Sequence, residues 1–517
     1  MKKNTLYILI LFLLLAMFTL FACYLFEKYT VTFQNEEGEV YQTVVVIEGE
    51  KIIKPEDPSK EGYTFLNWVY NGENWIFSDY TVSDNMTLTA KFLINKYTIT
   101  FDTDGGTTIE TITDYYQNPI VKPEDPTREG YIFMGWEPEI PANMPSMDMT
   151  IKAIWYRPIM LGCVGPLSGA ASMYGQMVKK GIELAVEEIN KAGGVNVNGV
   201  MTEIQIADFI DDQMDFSKAA NALKTLMNSN VDMVIGAVSS AATEGLISEA
   251  IKYDVPVISP SGTADQLTVG QEGNEREERY NIFRACNNDS YQAKYMAQYA
   301  KQAGYNKVYV LYNNEEDYSN SLKDEFILEA KSQGIEVVVG EYNDSERDFS
   351  SLWTSIINEG YQCVYIPDYY YNVYNVLKAG YTKGYQGVCY GSDGWDGLIY
   401  EIRSTDDYKF LEKCFYTSPF HSASESETVK KFVEAYKNKY NEIPSAFAAY
   451  GYDAIYIAKQ AIEKAGSTEY DKVIEALTNS TFKGLVTTNK DIKFVNGNPE
   501  SNPFIITFKD GKEVEAK

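Results

Sequence analysis

The chain has 517 residues, 45% of them hydrophobic: too long for one ordinary domain, and apolar enough for several packed cores. A formal net charge of −28 weighs against nucleic acid or an anionic membrane surface as partner. One histidine, His421, and six scattered cysteines without a CxxC pair argue against histidine metal sites, zinc ribbons and Ser/His/Asp or Cys/His catalysis.

Met1-Lys-Lys-Asn4 is a short basic start, and Leu6 to Ala22 is almost wholly apolar, the layout of a secretory signal. It closes on Leu20-Phe21-Ala22-Cys23. This resembles a bacterial lipobox, which implies lipidation of Cys23 as the mature N-terminus. Tyr24-Leu25-Phe26 lengthens the apolar run to spanning length, so a retained membrane helix is the other reading. Both place the remainder outside the cytoplasmic membrane and tethered to it.

Residues 29–156 contain an internal repeat. Tyr29-Thr-Val-Thr-Phe33 recurs as Tyr97-Thr-Ile-Thr-Phe101, Lys54-Pro-Glu-Asp-Pro58 as Lys122-Pro-Glu-Asp-Pro126, and Glu61-Gly-Tyr63 with Trp68 as Glu129-Gly-Tyr131 with Trp136. Each copy alternates apolar and polar residues between Gly and Pro breaks, which predicts a small β-rich module. Tyr63, Phe65 and Trp68 are its expected core, as are Tyr131, Phe133 and Trp136 in the second copy. The copies resemble the internalin-type B-repeat, or Listeria–Bacteroides repeat. The resemblance implies a β-grasp-like surface spacer and no particular partner.

From Arg157 the texture changes to alternating strands and helices. Ile159–Val164 reads as a strand, followed by Gly165-Pro-Leu-Ser-Gly169 and a helix to Asn190 with Val178, Ile182, Ala185 and Ile189 on one face. Glu203–Ala207 reads as the next strand. The acidic Asp208, Asp211 and Asp212 after it read as a solvated loop, because the loop glycine and closing glutamate of a calcium site are missing. Val231–Val238 and Val255–Ile258 are strands around a helix carrying Leu246, Ile247, Ala250 and Ile251, a β–α–β unit. Both strands end in small hydroxylated residues, Ser239-Ser240 and Ser259-Pro-Ser261-Gly-Thr263, where open α/β sheets bind ligands. Further strands are expected at Lys307–Leu311, Glu336–Val339, Cys363–Ile366, Val388–Tyr390 and Cys414–Thr417, with helices at Asp317–Ser332 and Tyr371–Lys383. Tyr450-Gly-Tyr-Asp-Ala454 opens another helix, and Ile492–Phe494 and Phe504–Phe508 close the chain as strands. Two such runs predict two lobes with a cleft between them.

The stretches Gly165–Gly169 with Tyr174-Gly175, Glu187–Asn190 with Gly193-Gly194, Val234–Gly236 with Ser239-Ser240, Pro256–Pro260 and Tyr452–Ala454 occur in one order. Through them, residues 158–510 resemble the extracytoplasmic solute-binding proteins of the branched-chain amino acid type. The resemblance implies a periplasmic-binding-protein type I fold, α/β, with two doubly wound lobes joined by three hinge crossings. It implies that Ser240 holds a ligand carboxylate and that Ser261 and Thr263 meet the amino-acid head group. Tyr369, Tyr318 and Tyr174 would line the cleft, and Asp393 would pair with the ligand ammonium in place of the family's glutamate. Trp395 is left open between capping the pocket and packing at a lobe edge. A zwitterion needs such a kit, since each buried charge must be fully hydrogen-bonded.

The expected organisation is a signal or anchor at 1–28, repeats at 29–93 and 94–156, and a binding domain at 157–517. Its first lobe would comprise about 157–285 and 421–485, its second about 286–420 and 486–517. The leading expectation is the binding component of an ABC importer for an amino acid or similar small ligand, partnered by permease and ATPase subunits. No catalytic residue, metal or cofactor is expected, and Cys363 and Cys389, on neighbouring predicted strands, read as buried free thiols. The second reading is a tethered surface sensor or interaction protein using the same cleft and the repeats.

Overall fold

The computed structural model describes residues 27–516 apart from 270–278, 403–406, 488–490 and 500–501, together with Ile10. Cys23 and the apolar leader around it lie outside the described residues, among which no helix is long and apolar enough to cross a membrane. The chain divides into two compact units, Met1–Arg157 and Pro158–Lys517.

In the first copy of the repeat, Lys28–Gln34 is the second strand of five, antiparallel to Val40–Ile47 and parallel to Met86–Ile94. Tyr63–Tyr70 follows Met86–Ile94 antiparallel, and short Glu73–Asn74 edges the sheet. The second copy repeats this order with four strands: Ile112–Tyr115, Lys96–Asp102, Met149–Tyr156 and Ile132–Glu137. Trp68 is buried among Val31, Phe33, Ile52, Leu88 and Ala90, with Phe65 edge-on at 5.6 Å. Tyr63 and Tyr131 correct the expected core. A bulge after Phe65, and its counterpart after Phe133, turns the strand, so Trp68 and Trp136 face inward while the tyrosines stay at the sheet end. There Lys60 lies over the Tyr63 ring and Arg128 over the Tyr131 ring, at 4.7 and 3.9 Å.

The second unit holds two doubly wound sheets. In the first, five parallel strands run in the order Ile204–Asp211, Ile159–Gly165, Met233–Ile235, Val257–Ser259, Ile282–Arg284. In the second, Glu336–Tyr342, Lys307–Asn313, Cys363–Tyr365, Val388–Gly391 and Cys414–Ser418 are parallel. Antiparallel Phe504–Lys509 and Lys512–Glu515 complete that sheet. Among the parallel strands both sheets follow the order 2-1-3-4-5, whose winding reverses beside the first strand. That reversal opens a crevice at the carboxyl ends, where the loops after Gly165, Ile235, Asn313 and Tyr365 begin.

Helix Ser172–Lys191 and helix Ala446–Ala465 pack across the first sheet with glycine at their crossing. A Cβ on Gly181 would lie 2.0 Å from the Ala448 carbonyl oxygen, and one on Gly451 2.3 Å from that of Val178. The second helix begins at Ala446 rather than Tyr450, because Ser445 caps it by accepting the Ala448 N–H. Asp453, on this helix, is buried and accepts the N–H groups of Val486 and Thr487, with the Thr487 hydroxyl, at 2.6–3.1 Å. Residues 481–487 and 491–499 stay with the first lobe: Arg284 N–H donates to Gly497 O at 3.1 Å, and Phe283 meets Phe494. The last crossing therefore falls beyond Pro499, later than the expected position 486.

The acidic stretch is also corrected. The strand runs on to Asp211, and Asp212 is buried with Oδ2 lacking a partner, which pushes its pKa up to about 7 through desolvation. Asp211 accepts the Leu167 N–H and the Ser168 hydroxyl, so it fixes the loop after the first strand. Cys163, Cys286, Cys363, Cys389 and Cys414 are free and buried.

Candidate functional site

The first-lobe side of the crevice is built from strand ends. Ser239 caps helix Ser240–Ala250, accepting the Ala242 N–H at 3.3 Å. Ser259 donates to Ala237 O at 2.8 Å and accepts the Gly262 N–H at 2.9 Å, tying two neighbouring strand ends together. Ser240 Oγ accepts the Ala264 N–H at 3.2 Å and keeps its own proton to donate. Ser261 donates to Val238 O at 2.7 Å. Thr263 is 1% exposed, and its hydroxyl has no hydrogen-bond partner. Arg284 is buried behind this loop, donating to the carbonyls of Gly262 and Ala264.

The second-lobe side centres on Asp393, 2% exposed, at the start of the 3-10 turn Asp393–Trp395. Its Oδ1 accepts the Tyr318 hydroxyl at 2.9 Å; its Oδ2 accepts the Tyr450 hydroxyl, from the first lobe, at 3.3 Å. Desolvation raises its pKa to about 6 against those hydrogen bonds, and no lysine, arginine or histidine among the described residues pairs with it. Gly394 permits the close fit: a Cβ there would lie 2.8 Å from the Tyr318 hydroxyl oxygen. Trp395 neither caps the cleft nor lies at a lobe edge. It is buried, packs over Gly391 and donates its indole N–H to Ile366 O at 2.8 Å.

Aromatic rings close the space between the sides. Tyr318 stacks on Tyr369 at 4.6 Å, and Tyr174 stacks on Phe447 at 3.9 Å and meets Tyr370 edge-on at 4.9 Å. The Tyr174 hydroxyl donates to Gly394 O across the lobes and accepts the Tyr370 N–H at 3.3 Å. Tyr370 donates to Ala170 O at 2.8 Å, and Asp396 accepts the Ala446 N–H at 2.7 Å. These bonds hold the two lobes together in a closed arrangement.

Two residues the sequence reading missed join the sides. Helix Asp289–Gln302 starts where the chain enters the second lobe. Asp289 N–H donates to Thr263 O at 3.0 Å; Gln292, one turn on, accepts the Asp393 N–H at 3.1 Å and the Thr417 hydroxyl at 3.0 Å. A continuous path thus runs from Ser240 through Ala264, Thr263, Asp289 and Gln292 to Asp393. Asp289 is fully buried and Gln292 is 2% exposed. The hydroxyls of Thr263 and Ser321 approach Asp289 and lower its pKa, but neither makes a well-formed hydrogen bond to a carboxylate oxygen. Desolvation dominates and holds that pKa well above the usual carboxylate range. Gln292 Nε2 also lacks a partner. The sequence carried one signal for the pair, an Asp-x-x-Gln spacing at a helix start, which reads equally as ordinary capping.

Comparison with known proteins agrees with the architecture. Residues 158–512 match the periplasmic binding protein family, and residues 29–91 and 97–140 match the Listeria-Bacteroides repeat domain. Leu/Ile/Val-binding protein homolog 3 of Brucella melitensis is 28% identical over 364 residues, 69% of this chain and 94% of its own. The leucine-, isoleucine-, valine-, threonine- and alanine-binding protein of Pseudomonas aeruginosa is 27% identical, over 63% of this chain and 83% of its own. Among solved structures, the leucine-binding protein LivK of Thermotoga maritima shares 27% identity with a TM-score of 0.60, covering 69% of this chain and 98% of that one. LivJ of Streptococcus pneumoniae, solved with isoleucine, has the same values. Both share the two-lobed type I fold. From residue 158 onward the chain is a member of the periplasmic binding protein family, a family of solute-binding proteins and not of enzymes, and it carries Listeria-Bacteroides repeats ahead of that domain.

Proposed function

We propose that the chain is the extracytoplasmic substrate-binding component of an ABC importer, and that it closes its two lobes on an amino acid or a similar small zwitterion. The observation that carries this reading is Asp393, a buried carboxylate that no cation among the described residues pairs with, met by one tyrosine hydroxyl from each lobe. A ligand ammonium supplies the missing charge. The ligand carboxylate lies against Ser240, next to the first turn of helix Ser240–Ala250, whose dipole favours an anion, and the amino-acid head group meets Ser261 and Thr263. Tyr174, Tyr318 and Tyr369 enclose the remainder. The relatives named for branched-chain amino acids support this ligand class. Permease and ATPase subunits would receive the closed form, and lipidated Cys23 or the apolar leader would keep the domain at the membrane, with the repeats as spacer. Residues 158–517 carry both sheets with their cores and match almost the whole length of the relatives, so they are expected to fold alone. A thermal-shift panel of the amino acids on this fragment tests the proposal: at least one raises the melting temperature, and Asp393→Ala removes the shift. A panel without any shift refutes it.

A further inference from the structure

One ammonium satisfies one carboxylate, and the cleft contains more. Asp289 has both oxygens buried without a partner, beside the unpartnered Thr263 hydroxyl and Gln292 amide nitrogen. Gln292, one turn along the same helix, accepts the Asp393 N–H at 3.1 Å, so Asp289 and Asp393 lie on one hydrogen-bonded path. Glu316 stands at the head of helix Asp317–Ser332, and its charge acts on the Tyr369 and Tyr371 hydroxyls. Among the described residues no lysine, arginine or histidine forms an ion pair with Asp289, Glu316 or Asp393; the nearby Arg284 donates to the carbonyls of Gly262 and Ala264 and to the Thr268 hydroxyl, and its Nε has no hydrogen-bond partner. Carboxylates withdrawn from water require a cation or a proton, and a wall built this way favours a guest that brings more than one positive charge.

We infer that the cleft takes an amino acid with a positively charged side chain, of the lysine, ornithine or arginine class, whose two cationic groups are shared between Asp393 and Asp289. This rests on the amino-acid reading above and narrows it. The experiment is isothermal titration of residues 158–517 with L-lysine, L-arginine, L-leucine and L-isoleucine. Lysine or arginine is expected to bind at least about 10-fold more tightly than leucine or isoleucine, roughly the preference one further partly solvated ion pair confers. Asp289→Asn is expected to weaken the cationic ligand by at least about 30-fold, as loss of a buried charge partner does. Glu316→Gln, at a less enclosed position, is expected to weaken it by a smaller factor. Tighter binding of leucine or isoleucine than of both basic amino acids overturns the inference and leaves the amino-acid reading standing. So does wild-type lysine affinity in a folded Asp289→Asn variant. Binding of none of the four overturns the inference, and the full amino-acid panel then decides whether the broader reading falls with it. The wild-type ligand comparison decides the question even where a variant fails to fold.

Discussion

Asp393→Asn is expected to stabilise the empty domain while abolishing ligand binding. The carboxyl is fully enclosed and its folded-state pKa stands at about 6, against 3.8 for the free group. The folded state therefore binds its proton more tightly than the unfolded chain does. Stability from this residue is full below the unfolded value and is lost as the pH rises through the folded one. A shift of about two units corresponds to roughly 3 kcal/mol of penalty at pH 7.5 as an upper bound. The amide can still accept from the Tyr318 and Tyr450 hydroxyls, but its NH2 group requires new partners, so a net gain of about 1–2 kcal/mol is expected. For a domain of this size that is about 1–4 °C in Tm. The assay is thermal melting of residues 158–517, wild type and variant, at pH 4.5 and pH 7.5. The variant should melt higher at pH 7.5, and the difference should shrink at pH 4.5, where the wild-type carboxyl is protonated. A variant that melts lower than wild type at pH 7.5, or a difference independent of pH, refutes the reasoning.

Other sites yield sharper structural tests. Gly181→Ala forces a methyl group against the Ala448 carbonyl and should cost about 2–4 kcal/mol in chemical denaturation, although alanine is the better helix former. Asp453→Ala leaves the Val486 and Thr487 N–H groups without acceptors inside the fold, and should cost about 3 kcal/mol, with faster hydrogen exchange confined first to 481–499. The five thiols of residues 158–517 should resist a polar thiol reagent in the native state and all react on denaturation, because burial raises the pKa of Cys163, Cys286, Cys363 and Cys414.

Much of the fold was legible because its signals are local. Val231–Thr263 spells a β–α–β unit by apolar run, helical spacing and a second run, and the helix at Asp317–Ser332 has the observed limits. The repeat announces itself by identity between its copies. What escaped depends on contacts made far along the chain. Tyr63 and Tyr131 leave the core because they pair at the end of their sheets, and the bulges that bring Trp68 and Trp136 onto the face of Phe65 and Phe133 change no residue type. The late third crossing depends on Asp453 reaching residues more than thirty positions away. Asp208–Asp212 looks like a loop by composition, yet its strand partner at Gly162–Gly165 extends the ladder through Asp211. The candidate site was read through resemblance, which supplied strand-end hydroxyls, tyrosines and one acid. Asp289 and Gln292 were invisible because a helix-start acid followed by glutamine is indistinguishable from a cap until the opposite lobe is seen.

The most direct test is a crystal structure of residues 158–517 with its tightest-binding amino acid. The ligand is expected between the lobes, with its α-carboxylate within hydrogen-bond distance of the Ser240 hydroxyl and a ligand nitrogen within hydrogen-bond distance of Asp393. A ligand seated elsewhere, or one in the cleft with neither Ser240 nor Asp393 touching it, contradicts the account.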